Sequence, residues 1–468
     1  MPCNVVILGA GLTGLRAAWE LAKHGYAVNV LEREREVGGM SRSHVVNGYT
    51  FDHGPHGFFS RDAWIMDEFK ELVGGEDNYW YLQKWSQIFY RGEYFNHPLR
   101  ISDLASKMSP WRVLAALFSF LHARLQVRMG RATEGNTEEF LINQFGRVLY
   151  EEFFGPYTQK VWNISPAALD ADFARDRVPQ INLWEVMKKM LISRDRMRLT
   201  PSGRIATHDL HRFYYPRKGA HVLSKAMAER VLAHGGSIHT SLQITRVDSA
   251  QRQVVAQVDG QTQRWPYDML LSTIPLDKFL QLLSPAPEPD ILTLAGNLRY
   301  RAIILVNLCV KRPSIIGPFW IYFTDRSFNR ISEYKQFSPD LVPQGRTGIC
   351  LELTCDEGDE LYTASDETIF RRLLTELEAL QLLAAEDIED YFIVREPNGY
   401  PIYEVGYKAR LGKMFEHIRG RTGLFTAGRQ GAFLYCNQDA AIKCGFEIAQ
   451  QMMAGSPTRA SGMRKNRT

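Results

Sequence analysis

The apolar run Val5, Val6, Ile7 and Leu8 is too short for a helix and suits a strand buried on both faces. Gly9, Gly11 and Gly14 follow, and Leu12, Leu15, Trp19 and Ala22 then recur at helical intervals until Gly25 stops them. Ala27 to Leu31 form a second apolar strand ending on Glu32. His44–Val46 and Tyr49–Phe51 flank Asn47-Gly48, the pattern of a β-hairpin. From about residue 86 to 200 the pattern is mostly helical. Ser109-Pro110-Trp111 marks a helix start, and up to Met129 the residues Leu114, Leu117, Phe118, Leu121 and Leu125 share one side, with Arg112, Arg124 and Arg128 opposite. The expectation is an amphipathic helix turning that apolar side to a core, in preference to a membrane-surface helix. A helix through Leu223, Met227 and Val231 returns to short strands at 238–240, 243–247, 254–258 and 263–265, closed by 269–273. Between 291 and 415, strands at 301–310, 319–323, 330–334 and 348–353 precede a helix at 366–381, which indicates a sheet-plus-helix domain.

Each part of the first segment has a physical task. Gly9 permits a tight turn, Gly11 lets backbone approach a pyrophosphate, and Gly14 lets helix and strand pack closely. The helix start at Leu12 and Thr13 offers free N–H groups to phosphates. Glu32 can accept both ribose hydroxyls and would repel a 2′-phosphate, which argues against NADP. Arg33 follows, and then Gly38-Gly39-Met40-Ser41-Arg42. This second glycine pair resembles the extended motif of the glutathione-reductase-type FAD proteins, where the chain returns along the pyrophosphate and ribityl chain. Near the other end, residues 424–445 give an apolar strand, Gly428-Arg429, a glycine loop at Gly431, and a helix opened by Asn437, Asp439 and Ala440. Its pattern GRxGxFxYxNxDxA is similar to the ending of UDP-galactopyranose mutases and of protoporphyrinogen-oxidase-like proteins, within the amine-oxidase-like superfamily. The segments PYTQKVW (156–162) and FWIYFTD…RISEYK (319–335) extend the likeness over nearly the whole chain.

The resemblance implies an α/β fold: a glutathione-reductase-type Rossmann FAD domain with a second α+β substrate domain, a sheet plus helical insertion. The discontinuous FAD domain would comprise 1–85, 205–290 and 416–455, and the substrate domain 86–204 and 291–415. FAD would be held by Gly9, Gly11, Leu12, Thr13, Gly14, Glu32, Arg33, Gly39, Met40, Ser41, Gly428, Arg429, Asp439 and Ala440, with backbone near Val247 on the adenine. Pro55 and His56 in FDHGPHG are implied beside the isoalloxazine, although His56 equally suits a turn histidine. Lys160 and Trp162 could wall a substrate cavity. Candidate catalytic groups are His56, Tyr403 and Arg429; candidate substrate contacts are Arg330, Glu333 and Tyr407, with Glu352 and Arg301 as further charged residues on apolar strands. The implied activity is an FAD-dependent oxidoreductase moving hydride from a small-molecule C–H (or C–N) bond to flavin N5. A redox-neutral FAD-dependent mutase of a nucleotide- or lipid-linked sugar is the alternative, and a non-catalytic flavoprotein a third reading.

Composition narrows this little. The 468 residues are 45% hydrophobic and 23% charged, ordinary for a globular chain, with a net charge of +4. Arg459, Arg464, Lys465 and Arg467 account for that charge in an acid-free stretch, 456–468, expected to be a disordered basic tail with no nucleic-acid role. Six cysteines without a CxxC pair, and no histidine spacing that suits a metal, fit a reducing cytoplasm. A strand beginning at residue 4 leaves no signal peptide to expect, and no apolar stretch is long enough to span a bilayer. The expected partner is a small-molecule substrate, and nothing in the sequence sets an oligomeric state.

Overall fold

Asn4–Leu8 becomes the middle of a five-stranded parallel sheet in the computed structural model, which describes residues 2–99, 101–175 and 212–455. The strand order is 424–426, 269–272, 4–8, 27–31, 237–239. Alternation decides what each face buries. Val6, Leu8 and Leu31 point toward Phe279, Leu280 and Met414, whereas Val5, Ile7, Val28 and Val30 point toward Leu15, Leu223, Met227 and Met452. The helix Leu12–Lys23 covers the second face beside His221–Ala233 and the final helix Gln438–Ala454. Thr13 Oγ1 donates to Ala441 O at 2.9 Å, so the two ends of the chain touch at the glycine loop.

A larger sheet of seven strands lies elsewhere, in the order 388–401, 300–310, 347–355, 330–333, 320–323, 86–90, 93–97. Its second strand, Tyr300–Val310, is buried almost throughout and is paired antiparallel on both sides. A four-stranded sheet, 261–266, 253–258, 242–248, 283–284, and the hairpin 43–46/49–52 complete the sites expected from the glycine turns; Asn47 and Gly48 both take positive φ, as that hairpin type needs.

Three expectations are corrected. The stretch opening at 86 begins not with helix but with the hairpin 86–90/93–97, which extends the larger sheet. The strand Ile388–Pro401 carries no clean alternation and was not anticipated. The helix Pro110–Arg128 exists, yet its large apolar residues face outward: Trp111, Leu114, Leu117, Phe118, Leu121 and Leu125 are all exposed. Its buried residues are Ala116 and Ala123. The helical pattern expected over 176–200, the domain boundary at 204/205 and the basic stretch 456–468 lie outside the described residues. No helix among the described residues is long and apolar enough to cross a membrane.

Candidate cofactor and active site

At the first strand's end the chain turns on Gly9, whose φ of +99° suits glycine and whose amide donates to Leu31 O at 2.8 Å. A Cβ on Gly14 would lie 2.1 Å from Gly9 O, so helix and loop touch there. A Cβ on Gly11 would meet nothing within 4 Å, so the surface over it is open. Glu32 is buried and accepts from Ala10 N at 2.7 Å and Glu34 N at 2.9 Å. A carboxylate has about four acceptor directions, so it keeps capacity for ribose hydroxyls. Gly38 N donates to Ala10 O at 2.8 Å, and a Cβ on Gly39 would sit 3.2 Å from Gly11 Cα, so the second glycine pair lies directly on the loop. Ser41 Oγ accepts from Gln438 Nε2 at 3.1 Å, and a Cβ on Gly428 would press on Thr13 Oγ1 at 2.7 Å. Asp439 and Ala440 form the first turn of the last helix, whose N-cap Asn437 makes no side-chain cap. Burial raises the Asp439 carboxyl above its usual range. The Arg33 guanidinium is exposed and pairs with Glu34 at 3.1 Å.

Val247 does not serve as expected. It sits between two ladder neighbours, Val254 and Leu283, leaving no free backbone edge for an adenine. The start of the same strand is nearer: Leu242 N donates to Glu32 O at 3.2 Å.

Beyond this loop a small cavity opens against the larger sheet. Met40 and the turn His53–His56 form one side; Ile303, Leu305, Arg330, Glu352, Glu396, Tyr400 and Arg429 form the other. Arg330 grips Glu352 across paired strands as a two-pronged fork, its Nη2 at 2.7 Å from Oε2 and its Nε on Oε1. Arg429 is fixed by Gly399 O at 2.6 Å and Cys436 O at 3.2 Å and lies over the rings of Tyr400 and Tyr435. Burial pushes the His56 imidazole down to about 4, so it is neutral at pH 7. His53 is buried, its Nε2 3.4 Å from Glu396 and its Nδ1 3.2 Å from His44 Nε2. Burial raises Glu396, but His53 and Arg42 outweigh it and hold the carboxyl below its usual range.

Several candidates fall elsewhere. Glu333 is three residues from Arg330 on one strand and therefore points to the opposite face. There it is fully buried and accepts from Ile315 N, Ile316 N, Ser314 Oγ and Thr347 Oγ1, a structural carboxylate rather than a substrate contact. Tyr403 is in the core, accepts from Tyr435 N at 2.5 Å and stacks on Tyr407 with ring centres 4.4 Å apart. Tyr407 reaches Asp172 at 3.4 Å; neither tyrosine lines the cavity. Arg301 is committed to Val161 O, Asp356 and Thr354 O, and Lys160 donates to Phe323 O and Phe328 O at 2.7 Å each. Trp162 packs against Phe173 and Tyr400. Ile303, Leu305, His53 and Glu396 were not anticipated; for Glu396 the signal would have been a carboxylate inside a half-buried strand.

The chain's residues fit a flavin dinucleotide on two structural grounds. The space over Gly11 is open at a helix N-terminus, and His56 Nδ1 and Arg429 Nε are buried at the cavity without a hydrogen-bond partner. Among the described residues, no group of three or more His, Cys, Asp or Glu could hold a metal ion.

A family model described as flavin containing amine oxidoreductase matches residues 12–453. A probable UDP-galactopyranose mutase of Klebsiella pneumoniae is 22% identical, over 96% of this chain and 95% of its own. A 4,4′-diapophytoene desaturase of Staphylococcus aureus is 33% identical over 22% of this chain and 20% of its own. Among solved structures, reduced UDP-galactopyranose mutase superposes with a TM-score of 0.81 at 24% identity, covering 97% of this chain and 96% of that one. A putative protoporphyrinogen oxidase from Exiguobacterium sp. 255-15 gives 0.74 at 18% identity, covering 97% and 100%. At these identities the structural likeness establishes the fold: a Rossmann-type FAD domain joined to an α+β domain.

Proposed function

This chain belongs to the flavin containing amine oxidoreductase family, its cofactor is FAD, and from that premise we propose an oxidoreductase acting on a small polar substrate. The observation that carries this reading is the His56 imidazole, neutral at pH 7 and lining the same cavity as Arg429. Bound FAD supplies a two-electron acceptor for the hydride that leaves a substrate C–H (or C–N) carbon. When that carbon bears an O–H or N–H, the second hydrogen leaves as a proton, and the His56 ring nitrogen that the Gly54 backbone does not engage can accept it. Arg429 offers its Nε–H to a substrate or flavin oxygen, and its backbone anchors hold the guanidinium in place. Ile303, Leu305 and Met40 exclude water from the apolar part of the cavity. In the same proposal 1–85, 205–290 and 416–455 form the FAD domain, 86–204 and 291–415 the substrate domain, and the protein works in the cytoplasm, its six cysteines all free thiols.

The second reading, a redox-neutral mutase of a nucleotide- or lipid-linked sugar, draws on one observation: two guanidinium groups, of Arg330 and Arg429, face one cavity and could grip a diphosphate. One experiment separates the readings. Under anaerobic conditions, a panel of polar alcohols, amines and sugar nucleotides is added to the yellow protein. Bleaching of the flavin absorbance with an oxidised product supports the first. Turnover that requires prior dithionite reduction and gives an isomer of the substrate supports the second. No change with any compound, in either flavin state, defeats both.

A further inference from the structure

The helix Pro110–Arg128 is built inside out. Its small residues Ala116 and Ala123 are the buried ones, facing the helices Thr137–Phe145 and Arg147–Leu149. The approach is close: a Cβ on Gly146 would lie 2.6 Å from Phe120 N. The large residues are turned the other way, with Trp111 81% and Phe118 69% exposed, and Leu114, Leu117, Leu121 and Leu125 each exposed by roughly half. At 100° per residue these six fall on one continuous face, a convex apolar ridge several turns long. An ordinary globular surface scatters such residues singly.

The charge around the ridge has one sign on the helix itself. Between Pro110 and Arg128 there is no Asp or Glu; Arg124 and Arg128 border one edge of the ridge, while Arg112 lies toward the protein. Lys107 precedes it and Arg131 follows; the acidic neighbour Glu152 is already engaged by Arg112 and Arg91. An aromatic and leucine face bordered by arginines is the composition of a helix lying in a bilayer interface, where apolar insertion and attraction to anionic lipid act together. A second protein copy would find no acidic complement on the ridge itself.

We propose that this helix docks the enzyme on an anionic lipid surface, Trp111, Phe118 and Leu121 entering the headgroup–acyl boundary while Arg124 and Arg128 at its border meet lipid phosphates. The whole FAD-loaded protein is floated with vesicles of equal phosphatidylglycerol and phosphatidylcholine, and separately with phosphatidylcholine alone. The protein is expected to float with the anionic vesicles, at least about tenfold more tightly than with the neutral ones, and less so as salt rises. Trp111→Glu with Phe118→Glu is expected to abolish flotation while flavin content and turnover of a water-soluble substrate stay the same. A folded protein that floats with neither vesicle, or a doubly substituted one that floats as before, overturns the proposal. So does a dimer in light scattering that the double substitution dissociates, which would give the ridge to a second copy. Should the charged variant not fold, Trp111→Phe replaces it: brominated acyl chains should quench part of the wild-type tryptophan emission, and W111F should lose that part. Equal quenching in both proteins overturns the proposal.

Discussion

Glu352 is the group this cavity can least lose. It is buried beside Arg330, whose fork fills both carboxylate oxygens, and removing it leaves a guanidinium without compensation in a dry site. Glu352→Ala is expected to lower unfolding stability by about 3–5 kcal/mol in denaturant titration, whereas Arg330→Met combined with Glu352→Leu should cost far less stability and still lose activity. Histidines give a second expectation. Burial pushes His44, His56 and His97 each down to about 4, while an unfolded histidine titrates near 6.5. The unfolded chain then binds more protons between those values, so stability should fall as pH drops from 6.5 toward 4 and be insensitive to these groups above 7. Melting curves from pH 7.5 to 4.5 test it, and replacing His56 and His97 with Gln should flatten the slope. At this scale the sequence was readable where a motif pins a side chain to a turn: Met40, Pro55, His56, Arg330 and Arg429 do line one cavity. It was not readable where strand parity or ring packing decides direction, and so Glu333, Tyr403 and Tyr407 point away from it.

Elements explain which substitutions separate folding from cofactor binding. Gly11 has ordinary extended backbone, φ −74° and ψ 176°, and open space over it, while Gly14 faces the backbone of Gly9. Gly11→Ala should therefore leave apoprotein stability nearly unchanged and weaken FAD retention at least about tenfold, since its methyl group occupies pyrophosphate space. Gly14→Ala should reduce soluble, folded protein whether or not FAD is added. Flavin content per chain, set against the apoprotein denaturation midpoint, distinguishes the two; parallel losses in both variants would refute the assignment. The parallel strands and the hairpin 43–46/49–52 were legible because short buried runs and the Asn47-Gly48 pair are local signals. The strand Ile388–Pro401 was not, because Glu389, Asp390, Arg395 and Glu396 interrupt its apolar residues and its support comes from pairing with Tyr300–Val310. For Pro110–Arg128 the periodicity located a face but not which side meets the protein. Ala116 and Ala123, small residues in register on the opposite side, were the unread clue that this side makes the close approach.

On the scale of the whole molecule, the phosphate loop belongs to one end of the chain and its covering helix to the other. Thr13 is the hinge of that arrangement: it bonds Ala441, and added Cβ atoms on Gly428 or Gly445 would press on it at 2.7 and 2.5 Å. A fragment ending at Gly420 would lack the strand beside Met269–Ser272 and the helix carrying Ile442, Ile448 and Met452 onto Leu15 and Ala18. An unpaired edge and a bare apolar face would follow, which favours aggregation. The fragment 1–420 is therefore expected to be insoluble and colourless, and co-expression with 421–468 to restore a yellow complex. Because FAD binds the closed arrangement and not the open chain, adding it at a thousandfold excess over its dissociation constant should stabilise the intact protein by about 4 kcal/mol. The same addition should leave the lone fragment unchanged. If 1–420 alone proves soluble and takes up FAD, the C-terminal strand and helix are accessories and the nucleotide site is complete without them.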